Sequence, residues 1–213
     1  MRRIEHRNRK HLPHLFREYA RPEGYTVSGP NLELVYGSIA LACAAVGAVC
    51  DARTRRIPNW LTGPSIFLGL VLHFVLGSWY AGFAGGWRAL GVAALGGIIG
   101  GAVFLLFYLA GGMGAGDVKL ITAVCTLAGL GRVTEILILT ALMGGILAVA
   151  VALYHRRLKE TLTNITVLAV HHGSSGLQPH SDLNVGNSQN LRLPYGIAIA
   201  AGTALSFCNV LLS

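Results

Sequence analysis

Charge is scarce in this sequence. Only 12% of its 213 residues are Asp, Glu, Lys or Arg, against 53% hydrophobic, whereas soluble domains carry about 25% charged residues. Water is therefore not the main solvent of this chain. Other absences narrow the class further. The cysteines, Cys43, Cys50, Cys125 and Cys208, lie within or beside apolar runs and form no CxxC pair, so neither a zinc module nor a disulfide framework is indicated. No stretch shows the ten-residue alternation of a barrel strand. No basic helix face with interleaved aromatics is present, so the excess of 17 Lys and Arg over 9 acids does not indicate a nucleic-acid surface. The segment holding His171, His172 and His180 has no carboxylate or thiol partners at fixed spacing, so no metal site is expected there. No internal repeat is visible, which counts against a carrier built from duplicated halves.

What the sequence does have is long apolar runs. Charge-free segments cover 34–50, 60–87, 89–116, 136–154 and 193–213, close to or above the roughly 17–25 residues that a helix needs to cross a bilayer. A shorter run, 120–131, spans only if its helix begins near Asp117 and Arg132 reaches back to the interface. Helices satisfy their own backbone hydrogen bonds in hydrocarbon, so the expected fold is all-α: a polytopic transmembrane helical bundle with about six spans. Glycines at 91, 96, 97, 100, 101, 144 and 145 provide the small-residue spacing that lets helices approach closely in lipid.

Residues 1–31 hold seven of the Lys and Arg residues together with Pro13, Pro22 and Pro30. They read as a basic tail with an interfacial helix around 12–19, and not as a cleavable signal peptide. The membrane-embedded domain is expected over 32–213, with an extramembrane loop at about 155–192, where Ser, Gly, Asn and His accumulate.

Between Glu33 and Glu135 the only acids are Asp51 and Asp117. An ionisable group at a membrane span costs roughly 2.5–3.5 kcal/mol at the centre and less near the ends, so each marks a functional hypothesis. Asp51 closes the first apolar run and Asp117 opens the fourth, and two intervening spans bring both to one membrane face. Two carboxyls sharing a poorly solvated site can hold one proton between them. The charged one can then take a proton from an attacking water while its partner hydrogen-bonds a peptide carbonyl. The pair titrates as a unit, so neither is assigned the proton.

The flanking residues fit that chemistry. Asp117 follows Gly111-Gly112-Met113-Gly114-Ala115-Gly116, where Gly114 and Gly116 leave room for a substrate backbone. Asp51 precedes Arg53, Arg55 and Arg56 in a basic turn ending at Pro58 and Asn59, where Pro58 can start the next helix and Asn59 can cap it. Lys119 and Asn59 are candidates for orienting substrate or carboxylates, Lys119 otherwise snorkelling to lipid phosphate.

Asp51-x-x-x-x-Arg56-Ile57-Pro58-Asn59 after one span, together with Gly114-Ala115-Gly116-Asp117-Val118-Lys119-Leu120 after a later one, resembles the type IV prepilin peptidases, which belong to the GxGD aspartyl proteases. Pro194-Tyr195-Gly196 before the last run is similar to the Pro-aromatic-Gly of that family, so the resemblance extends from about residue 34 to the C-terminus. The presenilin-like branch fits less well, because Cys50 stands before Asp51 and the late motif reads Pro194-Tyr195-Gly196.

The resemblance implies a membrane enzyme that removes the short basic leader from prepilins or pilin-like proteins. It implies Asp51 and Asp117 as catalytic residues; no cofactor and no metal are expected. Longer members also N-methylate the new terminus and carry paired CxxC motifs, which are missing here. A peptidase without methyltransferase is expected, as in the short enzymes of Flp-type tight-adherence pili. The expected location is the bacterial inner membrane with the active site facing the cytoplasm. Arg53, Arg55, Arg56, Lys119, Arg156, Arg157, Lys159 and Arg192 would lie on that side, against Arg88 and Arg132 outside. The basic tail runs against this count and is outvoted by the loops. The rival reading is a proton- or cation-coupled carrier using the aspartates as a relay.

Overall fold

The structure is a computed structural model that describes residues 30–154, 156 and 194–212. The tail at 1–29, its helix expected around 12–19, the histidines at 171, 172 and 180, and the 155–192 loop apart from Arg156 lie outside the described residues.

Every described element is a helix. They are α1 (Pro30–Thr54), α2 (Asn59–Leu109), α3 (Ala115–Ala128), α4 (Leu130–Tyr154) and α5 (Tyr195–Leu212). By length and composition three of these are long and apolar enough to cross a membrane: Leu32–Thr54, Asn59–Leu109 and Leu130–Tyr154. The segment Tyr195–Cys208 is a shorter apolar helix.

At 51 residues, α2 would be about 76 Å long if straight, more than twice a bilayer's hydrocarbon thickness. It is not straight. Ala81 (φ −129°, ψ 17°) and Gly82 (φ 70°, ψ 177°) leave helical geometry and fold it into two antiparallel arms, 59–80 and 83–109. The rings of Phe74 and Trp87 would stand about 20 Å apart along a continuous helix, yet their centroids are 5.3 Å apart. Phe83 completes an edge-on cluster with both. Close contact of the arms is possible because a Cβ on Gly77 would lie 2.6 Å from that of Ala89.

This corrects the expected boundary between the second and third spans. A charged residue suggested a break at Arg88, but the chain turns at Gly82, where a positive φ favours glycine, and Arg88 lies within the second arm.

The shortest helix is the most enclosed. Leu120, Ile121, Ala123, Val124, Cys125 and Leu127 of α3 are all fully buried, as expected of a helix that is apolar all round. α3 packs against both α2 arms: Gly69 on the first meets Thr126, and Gly96, Gly97, Gly100 and Gly101 on the second meet Thr122, Cys125 and Thr126. A Cβ on Gly96 would fall 3.0 Å from the carbonyl oxygen of Cys125, so the backbones themselves touch. Among the described residues, a Cβ on Gly91 or Gly145 would meet nothing within 4 Å, so neither makes a close helix contact there. Gly144 makes only ordinary contacts with Tyr195 and Ala198.

α5 completes the bundle against α1 and α4. At the end remote from Asp51, Arg132 donates to Glu33 (2.8 Å), Glu135 (2.9 Å) and the carbonyl of Ser206 (3.1 Å), tying α1, α4 and α5 together. A cavity of about 460 Å³ at that end is lined by residues of every segment, among them Glu33, His73, Arg88, Ala128, Arg132 and Phe207.

Candidate active site

Asp51 lies one turn from the end of α1. The helix stops where Arg55 takes a left-handed conformation (φ 53°), its N–H still bonded to the Asp51 carbonyl at 2.8 Å. Pro58 (φ −75°, ψ 143°) then sits at the N-cap of α2 without a side-chain cap bond. Asn59 does not cap the helix with its side chain, because its Oδ1 accepts a 2.9 Å hydrogen bond from Lys119 Nζ on α3. The two supporting residues named from sequence are therefore partners of each other.

Asp117 is placed by a tight turn. α2 closes with the N–H of Gly112 on the Phe107 carbonyl and that of Gly111 on the Tyr108 carbonyl, both at 2.9 Å, a Schellman ending. Gly111 supplies the positive φ of 77° that it needs. Gly114 then becomes the N-cap of α3, and its N–H donates to Asp117 Oδ2 at 3.1 Å. The carboxylate thus caps its own helix, one half of a capping box. Gly116 serves packing between elements, since a Cβ there would lie 3.2 Å from Cβ of Ile57 in the basic turn. The Ile57–Gly116 contact and the Asn59–Lys119 bond fasten the turn after Asp51 to the first turn of α3.

The two aspartates come together. Each is 9% exposed, and their carboxyls interact electrostatically. A third segment joins them, because the N–H of Gly196 in α5 donates to Asp51 Oδ2 at 2.9 Å and Tyr195 interacts electrostatically with Asp117. Pro194-Tyr195-Gly196 is legible in the sequence as a motif, but its partner Asp51 is not. The available signal was its position at the start of an apolar run, where helix N–H groups require acceptors.

Among the described residues, Oδ2 of each aspartate accepts one backbone N–H and neither Oδ1 makes a hydrogen bond. Each aspartate thus keeps one carboxyl oxygen that bonds to no described residue, within electrostatic range of the other carboxyl. No group of three or more His, Cys, Asp or Glu able to hold a metal ion occurs among the described residues.

The sequence model of the type IV leader peptidase family matches residues 38–149, a stretch that contains Asp51, Pro58, Asn59, Gly114, Gly116, Asp117 and Lys119 and ends before Tyr195 and Gly196. No curated protein and no solved structure gives a significant match.

Proposed function

The chain belongs to the type IV leader peptidase family, and from that premise we propose that it is an aspartic endopeptidase whose catalytic pair is Asp51 and Asp117. The observation that carries the reading is the convergence of the only two acids between Glu33 and Glu135 in one nearly closed site. One carboxyl removes a proton from water as its oxygen bonds to the scissile carbonyl carbon. The other, protonated, hydrogen-bonds the carbonyl oxygen and the tetrahedral intermediate. As the C–N bond breaks, the departing amine takes a proton from the dyad, and one proton again remains between the two groups. With Gly114 and Gly196 holding each Oδ2, the Oδ1 atoms are the reacting oxygens. Lys119 and Asn59 act on the dyad only by fixing the turn between α1 and α2.

The substrate class is a prepilin or pilin-like protein, cut between a short basic leader and an apolar helix. The reaction is leader removal without N-methylation; the absence of any CxxC pair supports this restriction. The protein is a multi-pass protein of the inner membrane with its site toward the cytoplasm. Arg53, Arg55, Arg56 and Lys119 cluster at the aspartate end, whereas the remote end has Arg88 and Arg132 alongside Glu33 and Glu135, in the sense of the positive-inside rule. Counting the two arms of α2 separately, six segments run between these ends, with 1–31 as a tail and 32–213 as the membrane domain.

Co-expression with a candidate prepilin followed by N-terminal sequencing tests the proposal. The expected product begins at the apolar helix, and Asp51→Asn or Asp117→Asn abolishes it. Ion flux in liposomes with no new N-terminus would instead establish the carrier.

A further inference from the structure

α5 begins with a problem. Pro194 precedes it, Tyr195 is its first residue and Gly196 its second, and the first N–H groups of a helix have no partner within the helix. Proline has no side-chain oxygen to cap them. The N–H of Gly196 finds its acceptor 145 positions away, in Asp51 Oδ2 at 2.9 Å, so an aspartate of α1 caps α5 from outside. The approach leaves no room for a side chain. A Cβ on Gly196 would sit 2.9 Å from Asp51 Cβ, 3.1 Å from its Oδ2 and 3.2 Å from Ala48 Cα, and the last of these is backbone that cannot rotate away.

Resting on the dyad reading above, we propose that Gly196 is a positioning residue of the peptidase: its amide fixes one oxygen of Asp51, aims the other at the reacting water, and requires glycine because the carboxyl lies where a side chain would go. Three features separate this from mere helix packing. The bond is to the carboxyl group itself. The donor belongs to a helix start, whose partial positive charge favours a nearby anion. The same turn carries Tyr195, which lies within electrostatic range of the second aspartate.

The test compares Gly196→Ala with Gly145→Ala, a control facing open space, in purified enzyme acting on a prepilin. A lost hydrogen bond to a charged group lowers kcat about 10- to 100-fold, while KM stays within about twofold because substrate contacts are untouched. The acid limb of kcat/KM moves to higher pH, since an N–H donor favours the charged carboxylate. A kcat close to wild type, or a loss with an unmoved pH profile, overturns the proposal.

A second measurement does not depend on the variant's folding. Labelling Tyr at its carbonyl carbon and Gly at nitrogen reports only the Tyr–Gly pairs, Gly37 and Gly196. Asp51→Asn shifts the Gly196 amide proton strongly and leaves Gly37 in place, whereas an unmoved Gly196 signal overturns the proposal. If Asp51→Asn and Asp117→Asn still cleave, the dyad fails. If they are inactive and Gly196→Ala is normal, only the role of Gly196 fails.

Discussion

Replacing Asp117 in two ways separates chemistry from architecture. Its Oδ2 accepts the Gly114 N–H at the start of α3, so this side chain has a structural duty as well as the proposed catalytic one. Asparagine keeps an oxygen in the same place and retains the cap, while ending the repulsion with Asp51; its stability should lie within about 1 kcal/mol of wild type. Alanine removes the acceptor of the Gly114 N–H, and loss of such a hydrogen bond costs about 0.5–1.5 kcal/mol, or a fall of roughly 1–6 °C in Tm for a chain of this size. Activity should not follow that order. Both variants lose an acid–base group, worth about 10²–10⁴ in rate, so cleavage by Asp117→Asn should fall at least as far as by Asp117→Ala. Single-turnover cleavage in nanodiscs gives the rate and scanning fluorimetry in the same preparation gives the stability. An asparagine variant as unstable as the alanine variant would refute the capping argument. One that cleaves at about a tenth of the wild-type rate or faster would refute the dyad.

Further outcomes follow from other contacts. Gly96→Ala places a methyl against backbone of α3 and the residues after it and should cost about 1–3 kcal/mol by overpacking, read as a lower Tm, while Gly145→Ala is neutral. Arg132→Met leaves Glu33 and Glu135 without their partner; because these side chains are partly exposed, the loss should be at most about 1 kcal/mol per pair and should shrink as salt rises. The pH–rate profile should be bell-shaped, since one carboxyl must be charged and the other protonated. Cysteines placed at Arg56 and at Gly82 should be labelled by impermeant thiol reagents from opposite sides of the membrane, and labelling from one side would overturn the proposed topology.

Much of this was legible from residue order because hydrocarbon enforces simple rules. Apolar runs had to become helices, and Asp51 and Asp117 were exposed as a pair by the scarcity of other acids. The turn at Gly82 was harder to find, because a charged residue six positions later is a louder signal than one glycine among many. The break lies at Ala81 and Gly82, the latter at positive φ, and Phe74 reaches the rings of Phe83 and Trp87 only once the hairpin exists. Glycines could not be sorted by sequence either. Gly96 and Gly145 look alike in an apolar run, but among the described residues a Cβ on one would meet a neighbouring backbone and a Cβ on the other would meet nothing. Gly196 was visible as part of a motif, but its partner was not, since no local pattern encodes a hydrogen bond across 145 positions.

That long reach ties the enzyme's competence to its assembly. On the proposed reading, α5 supplies an amide that orients the aspartate of α1, so a nascent chain in which α1 to α4 are inserted contains both acids but lacks that donor. If that donor is needed, cleavage begins only when α5 has docked against α1.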